Sequence, residues 1–327
     1  MAEPAALPDL PVRAERIQAD LEALASFTDP DLPYTRLAFT PRDREARAWL
    51  AAQMERLGLR VRVDAAANVI GRREGAHPGA PALMTGSHLD TVLGGGRFDG
   101  IAGVVAALEV VRCLNEAGHT TRHPLEVVCF TCEEATVLGL TPFGSRAMAG
   151  DLDPALVAEA TAPGGEPLAQ ALAALGGDAT RLAEARLRPG SALALVELHV
   201  EQGPELEERG LPLGVVTAIA APNRGRVVVT GSADHAGATS MARRRAALGA
   251  AEEVVLAVER VARGLPETVG TVGHLQVFPN QANVVPGRVV LSVEVRSAEA
   301  KAIEAAREQV RQAVEEVARR RGVDVAL

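Results

Sequence analysis

Three apolar segments of the sequence end in side chains that can bind a metal ion. They read LMTGSHLD, VVCFTCEE and ALVELHVEQ, and they supply His88 and Asp90, Glu133 and Glu134, and His199 and Glu201. Imidazole and carboxylate groups suit zinc and related divalent ions, and two ions that share a carboxylate can hold a hydrolytic water. A single strand-end histidine is more often bonded to backbone, so the repetition is what predicts a metal centre.

A glycine-rich turn after the first segment carries Asp99, the candidate bridging ligand. The glycines let the backbone fold so that His88 and Asp99 can meet at one ion. Asp90, two residues past His88, can accept the second imidazole N–H and fix the tautomer. Adjacent side chains of an extended chain point in opposite directions, so one of Glu133 and Glu134 can bind metal while the other acts as general base.

The segments that carry these residues belong to an alternation of helices and strands. Apolar spacing predicts helices at 12–26, 41–58 and 101–117, the second opening at Thr40-Pro41 and closing at Gly58. A strand with alternating polarity is predicted in LRVRVDAAANVIGRR, and apolar strands are predicted in the three segments above. This order favours an α/β domain with a mainly parallel sheet, which binds ligands at the carboxyl ends of its strands.

A second domain is predicted at 218–327, after a catalytic domain at 1–217. The composition changes at TAIAAPNRGR. The pattern then reads strand at 226–232, helix at 240–263, strands at 270–278 and 288–296, helix at 298–321 and a short last strand. The order βαββαβ is the ferredoxin-like pattern. A length of 327 residues agrees with two domains rather than one.

Composition excludes several classes of protein. The net charge of -8 argues against nucleic acid and anionic membranes as partners. No apolar run reaches the roughly eighteen residues of a membrane span, and no signal peptide is recognisable, which predicts a cytoplasmic protein. Three cysteines fit a reducing compartment, and the CxxC pair Cys129 and Cys132 is interpreted as part of a buried strand.

Five motifs in order resemble the M20 metallopeptidase superfamily, in its amidase, hydantoinase and carbamoylase branch. They are TGSHLDTVLGGGRFDGIAGV, EEATVLGLTPFGSRAMAG, ELHVEQGPELEERGLPLGVVTAIA, GSADHAGATSM and NVVPGRVVLSVEVR. The resemblance implies a metallohydrolase domain with an inserted ferredoxin-like lid that forms a homodimer. It also implies two divalent ions, with zinc favoured over manganese, cobalt or nickel, and a small substrate that bears a carboxylate.

The resemblance assigns a metal ligand set and a general base. His88, Asp99 and His199 would hold one ion. Asp99 and Glu134 would hold the other, with Glu133 as the general base. The implied reaction is hydrolysis of a linear, non-peptide C–N bond in an N-carbamoyl or ureido carboxylate, such as allantoate or an N-carbamoyl-L-amino acid.

Further residues match substrate-contacting positions of the family. Gln202 would contact the substrate or orient the site, and His235 would stabilise the oxyanion in the active site of the other subunit. Asn283 and Arg296 would bind substrate, Arg296 through the carboxylate, which an arginine fork suits.

Two alternatives remain open at the level of sequence. An aminoacylase or dipeptidase of the same superfamily would use the same metal centre. The other alternative is a non-catalytic dimerising or binding protein. It arises because the sequence departs from the family pattern: the family has a further metal-binding histidine after the second domain, and no histidine follows His274 here. We therefore expect the C-terminal part of the catalytic domain to be absent.

Overall fold

The structure, a computed structural model, describes residues 10–134, 136–137 and 140–327. The chain divides into two compact units, Met1–Gly210 and Leu211–Leu327. This boundary lies seven residues before the one predicted after residue 217 from the change in composition. Among the described residues, no helix is long and apolar enough to cross a membrane.

A five-stranded sheet organises the first unit. Its strands are β1 (Arg60–Val63), β2 (Val69–Arg73), β3 (Ala82–His88), β4 (Leu125–Phe130) and β5 (Ala192–Val196), arranged β1-β2-β4-β3-β5. β3 pairs in parallel with β4 and β5, whereas β1–β2 and β2–β4 are antiparallel. The predicted α/β class is confirmed, with a mixed sheet because the β1–β2 hairpin adds an antiparallel edge.

Helices cover the sheet and end close to the predicted residues. The α-helices described in this unit are α1 (Ala14–Ser26), α2 (Pro41–Arg56), α3 (Ile101–Glu116), α4 (Phe143–Ala149), α5 (Pro154–Glu159), α6 (Leu168–Ala174) and α7 (Glu205–Glu208). A 3₁₀ helix lies at Ala179–Ala185. As predicted, Thr40 caps α2, its hydroxyl accepting from the Asp43 backbone N–H at 3.4 Å, and Pro41 occupies the first turn.

The core between helices and sheet fixes the strand ends that carry the site. Leu50 of α2 and Leu108 of α3 are fully buried together with Val127 of β4. β4 is buried along its whole length, as expected of a central strand. β5 differs from the buried strand that its apolar run predicted, because among the described residues it pairs only with β3, which leaves Leu195 49% and Val196 60% exposed.

The second unit follows the predicted βαββαβ order. Its strands are β6 (Ala221–Thr230), β7 (Asp234–His235), β8 (Thr268–Thr271), β9 (Leu275–Phe278), β10 (Val284–Val285), β11 (Arg288–Ser297) and β12 (Asp324–Ala326). The helices are α8 (Ala247–Arg263) and α9 (Ala300–Arg321), with a 3₁₀ turn at Met241–Arg243. The main sheet is antiparallel in the order β12-β6-β11-β8. The predicted strand 270–278 is divided into β8 and β9, which both pair with β11.

Candidate metal centre

Three predicted ligands from separate parts of the first unit lie side by side. His88 ends β3, Asp99 precedes α3, and His199 follows β5. One ligand atom from each lies within 4.8 Å of the others. Parallel pairing of β3 with β5 places their carboxyl ends at one edge of the sheet, and α3 begins at the same edge. The structure thus brings together the three residues expected to share one ion.

Hydrogen bonds to backbone carbonyls set the tautomers of both histidines. Nδ1 of His88 lies 2.9 Å from the Asp90 carbonyl oxygen, and Nδ1 of His199 lies 2.8 Å from the Val200 carbonyl oxygen. A carbonyl oxygen only accepts, so each Nδ1 carries the hydrogen. In the neutral rings, each Nε2 therefore keeps a free lone pair, which is the form of histidine that binds metal.

The third ligand, Asp99, has an oxygen that suits a cation. Its Oδ1 is buried without a hydrogen-bond partner among the described residues, and it lies 3.1 Å from Nε2 of His199. The lone pairs of Asp99 Oδ1 and His199 Nε2 repel each other at that distance unless a positive charge lies between or beside them. Two imidazoles and a carboxylate form a donor set typical of zinc. The residues present therefore fit a divalent ion.

The charges around His88 also favour a cation. Burial lowers the pKa of His88, but the carboxylates of Asp90 and Glu133 outweigh burial and raise it above the ordinary value. Burial and repulsion from nearby carboxylates, including Glu133 and Asp99, together raise the pKa of Glu134 to about 7. The positive charge of His88 opposes this rise. Carboxylates crowded in this way would be stabilised by bound metal.

The acidic pair after β4 is only partly assembled with the histidines. Glu133 is 44% exposed at its side chain, and its Oε2 lies 3.9 Å from Nε2 of His88. Within the described residues, Glu134 is not part of the group formed by the three ligands above. The division of roles between Glu133 and Glu134 stays a prediction.

Asp90 contacts a different partner from the one predicted. Its buried carboxylate accepts hydrogen bonds from the backbone N–H groups of Glu133, at 3.2 Å, and Glu134, at 3.0 Å. Oδ1 of Asp90 is 3.8 Å from Nδ1 of His88, so the imidazole hydrogen goes to the Asp90 backbone carbonyl instead. The carboxylate is turned toward the end of β4, where two amides satisfy it. Asp90 thereby ties the acidic pair to the histidine.

Two further residues shape this site. Gln202 donates a hydrogen bond from Nε2 to Oδ2 of Asp99, which corresponds to the orienting role that the resemblance allowed. Gly100 was not among the sequence candidates, although a Cβ at that position would lie 2.4 Å from Cε1 of His88. The sequence signal for Gly100 was its place directly after Asp99, at the end of the glycine-rich turn.

The remaining predicted residues lie in the second unit. His235 in β7 pairs with Val284 in β10, and the Ala236 N–H donates to the carbonyl of Asn283, so His235 and Asn283 are neighbours. The Gly237 backbone N–H donates to Nδ1 of His235 at 3.1 Å. The neutral ring therefore carries its hydrogen on Nε2, which makes that atom a hydrogen-bond donor.

Arg296, on β11, is partly exposed and already holds an internal carboxylate. Its Nε donates to Glu294, and Arg224 of the neighbouring strand β6 donates to the other oxygen of the same side chain. Burial opposes the effect of these arginines, which nevertheless lower the pKa of Glu294. A substrate carboxylate at Arg296 would have to use the remaining edge of the guanidinium or compete with Glu294.

The cysteines are not part of the centre. Cys113, Cys129 and Cys132 are free and buried. Cys129 lies within β4, as the interpretation of the CxxC spacing expected, but Cys132 lies two residues beyond the end of that strand, so the pair is not contained in one strand.

The fold and these side chains define an α/β domain with a possible metal site at the carboxyl edge of its sheet. The model of peptidase family M20/M25/M40 matches residues 84–327. An N-carbamoyl-L-amino acid amidohydrolase of Geobacillus stearothermophilus is 43% identical over 317 residues, which cover 95% of this chain and 76% of that enzyme. The chain belongs to peptidase family M20/M25/M40.

Two further comparisons agree with this assignment. A ureidoglycolate hydrolase of Oryza sativa subsp. japonica is 39% identical over 318 residues, covering 95% of this chain and 66% of that enzyme. The crystal structure of AtUAH in complex with (S)-hydroxyglycine has a TM-score of 0.84 at 34% identity, covering 96% of this chain and 76% of that one. These relatives confirm the predicted class, a metal-dependent amidohydrolase. The expected lack of a C-terminal histidine segment stays a prediction.

Proposed function

We propose that this protein hydrolyses the linear C–N bond of an N-carbamoyl or ureido compound that bears a carboxylate. The observation that carries the proposal is the meeting of His88, Asp99 and His199, with an Nε2 lone pair on each neutral ring and no hydrogen-bond partner for Asp99 Oδ1 among the described residues. The names of the two enzymes compared above, an N-carbamoyl-L-amino acid amidohydrolase and a ureidoglycolate hydrolase, favour this substrate class over a peptide.

The metal content that we propose is two divalent ions, with zinc as the first choice and manganese, cobalt or nickel as alternatives. His88, Asp99 and His199 would hold one ion, and Asp99 and Glu134 would hold the other. When bound, such ions lower the pKa of water and polarise a carbonyl group. Burial, followed by repulsion from the carboxylates around it, raises the pKa of Glu134 to about 7, and this crowding of negative charge supports a second positive charge there.

Glu133 would act as the general base. Its partly exposed side chain is reachable by a water, and its backbone N–H is held by the buried Asp90 carboxylate. Glu133 would take a proton from the attacking water and deliver it to the leaving nitrogen. A base in this position contributes about 10²–10⁴-fold to the rate.

The second unit would supply the groups that hold the substrate. The Nε2–H of His235 would donate to the oxyanion that forms on the carbonyl, in the active site of the other subunit of a homodimer formed through this unit. Asn283 would contact the substrate beside His235, and Arg296 would bind its carboxylate. The fixed tautomer of His235 supports the donor role.

Release of ammonia tests the substrate class. The metal-stripped protein is reloaded with zinc, manganese, cobalt or nickel. It is then incubated with N-carbamoyl-L-amino acids, ureidoglycolate and allantoate, and with N-acetyl amino acids and dipeptides as controls. We expect turnover of the first group, abolished by a chelator. Turnover of only the acetylated or peptide substrates would instead support an aminoacylase or dipeptidase, and stable metal binding without any turnover would support a non-catalytic binding protein.

A matched pair of variants tests the roles of the acidic residues. Glu133→Gln should keep both ions and lose about 10²–10⁴-fold in kcat, whereas Glu134→Gln should lose one ion. Metal content is measured by mass spectrometry on the desalted protein. If Glu133→Gln keeps activity within about tenfold of the parent, the general-base assignment is wrong.

A further inference from the structure

The segment that carries His199 depends on side chains for its position. The ladder between β3 and β5 ends at the pair Thr85 and Val196. Beyond that pair, the hydrogen bonds that the structure describes for residues 197–203 all involve a side chain. His199 is also 34% exposed at its side chain, so packing alone holds it weakly. A specific contact must therefore fix where Nε2 of His199 lies.

The contact nearest to the end of the ladder joins Ser87 to Glu197. The hydroxyl of Ser87, a fully buried residue, donates to the Glu197 carboxylate. Ser87 immediately precedes His88, and Glu197 lies two residues before His199. A hydrogen bond to a charged acceptor is stronger than one between neutral groups. This bond thus connects the two chain segments that present the two histidine ligands.

The first turn of α3 packs against both of these segments, at Ser87 and Leu198. A Cβ at Gly103 would lie 2.3 Å from the Leu198 carbonyl oxygen and 2.8 Å from Cβ of Ser87. The helix backbone therefore touches both segments, with no room for a side chain between them. Since Asp99 lies two residues before the first residue of this helix, the contact helps to place all three ligands relative to one another.

We propose that Ser87 and Glu197 are positioning residues of the metal centre, whose hydrogen bond sets the place of His199 relative to Asp99 and His88. The inference rests on the metal site of the proposed function. A metal–imidazole bond tolerates displacements of only about 0.2 Å, so a freed 197–199 segment weakens binding. Loss of groups that orient metal ligands typically costs 10–100-fold in metal affinity.

Cobalt binding tests this inference without requiring turnover. The metal-stripped full chain is titrated with Co²⁺, and both the affinity and the visible absorption of bound cobalt are recorded. Ser87→Ala and Glu197→Ala should each weaken binding by about 10–100-fold and change the spectrum. Glu197→Gln keeps an oxygen acceptor and should restore most of the affinity and the parent spectrum. Glu207→Ala, at an exposed position in α7, is the control and should match the parent.

The double variant Ser87→Ala/Glu197→Ala adds a second criterion. It should lose no more affinity than either single variant, because all three lack the same bond. Parent-like affinity and spectrum in both single alanine variants would overturn the inference. If Ser87→Ala does not fold, the comparison of Glu197→Ala with Glu197→Gln, at an exposed residue, decides the question. A parent protein that binds no cobalt would contradict the proposed function itself.

Discussion

A methyl group at position 100 would meet the imidazole of His88. The Cβ of an alanine there would lie 2.4 Å from Cε1 and 2.5 Å from Nε2, whereas ordinary contacts begin at 3.4 Å. The ring or the turn must therefore move by roughly 1 Å, about five times the displacement of about 0.2 Å that a metal–imidazole bond tolerates. We expect Gly100→Ala to lose at least about tenfold in Co²⁺ affinity, which corresponds to about 1.4 kcal/mol.

Gly94 offers a control with a similar positive φ. Its φ of 64° is close to the 68° of Gly100, and its Cβ would have nothing within 4 Å. A positive φ disfavours alanine at both positions, by roughly 1–2 kcal/mol in the left-handed region, and at Gly100 the ψ of -45° lies outside that region, so the cost there should be at least as large. Unfolding in urea should therefore show that loss for both variants, while cobalt titration should show a loss of affinity for Gly100→Ala alone.

The comparison has two refuting outcomes. Parent-like cobalt affinity in Gly100→Ala would show that the His88 ring is not held where the contact places it, or that it is not a ligand. An equal loss of affinity in Gly94→Ala would show that backbone strain in the glycine-rich turn, rather than the contact with His88, sets metal affinity.

Other contacts lead to further predictions. Asp43→Ala should cost about 3–5 kcal/mol in urea unfolding, because it leaves the buried Arg47 without its ion pair, whereas Glu45→Ala, in an exposed pair, should cost less than about 1 kcal/mol. Equal costs would contradict this view of the buried pair. Arg296→Ala should raise KM for carboxylate substrates more than it lowers kcat, and an unchanged KM would refute its binding role. Burial raises the pKa of all three cysteine thiols, that of Cys129 to about 12. At pH 8 all three should therefore react slowly with a thiol reagent in the native protein and rapidly after denaturation. Rapid reaction in the native state would contradict that burial.

Much of the metal centre could be predicted from local pattern. His88 ends one apolar strand, His199 follows another, and Asp99 precedes an apolar helix. In an α/β sheet the carboxyl ends of parallel strands meet at one edge, so the order of elements along the chain already places these side chains together. The same kind of local signal, a threonine cap followed by proline, located the start of α2.

The direction of individual side chains could not be predicted in this way. The spacing of Asp90 from His88 suggested a contact with the carboxylate, but two amides at the end of β4 draw that carboxylate away. The apolar run of β5 suggested burial, yet exposure depends on which strands pair beside it, and β3 is the one that does so in the described part of the chain. Both outcomes depend on neighbours that are distant in sequence.

The sequence by itself determined which chemical groups lie at the ends of which elements, because hydrophobic periodicity and capping are local properties of the chain. Only the tertiary structure decided which lone pairs face one another. The tautomers of His88 and His199 depend on carbonyl groups placed by the backbone path, and the bond between Ser87 and Glu197 joins two segments that are adjacent only after folding. Metal affinity requires distances accurate to tenths of an ångström, and that accuracy comes from packing between segments far apart in sequence.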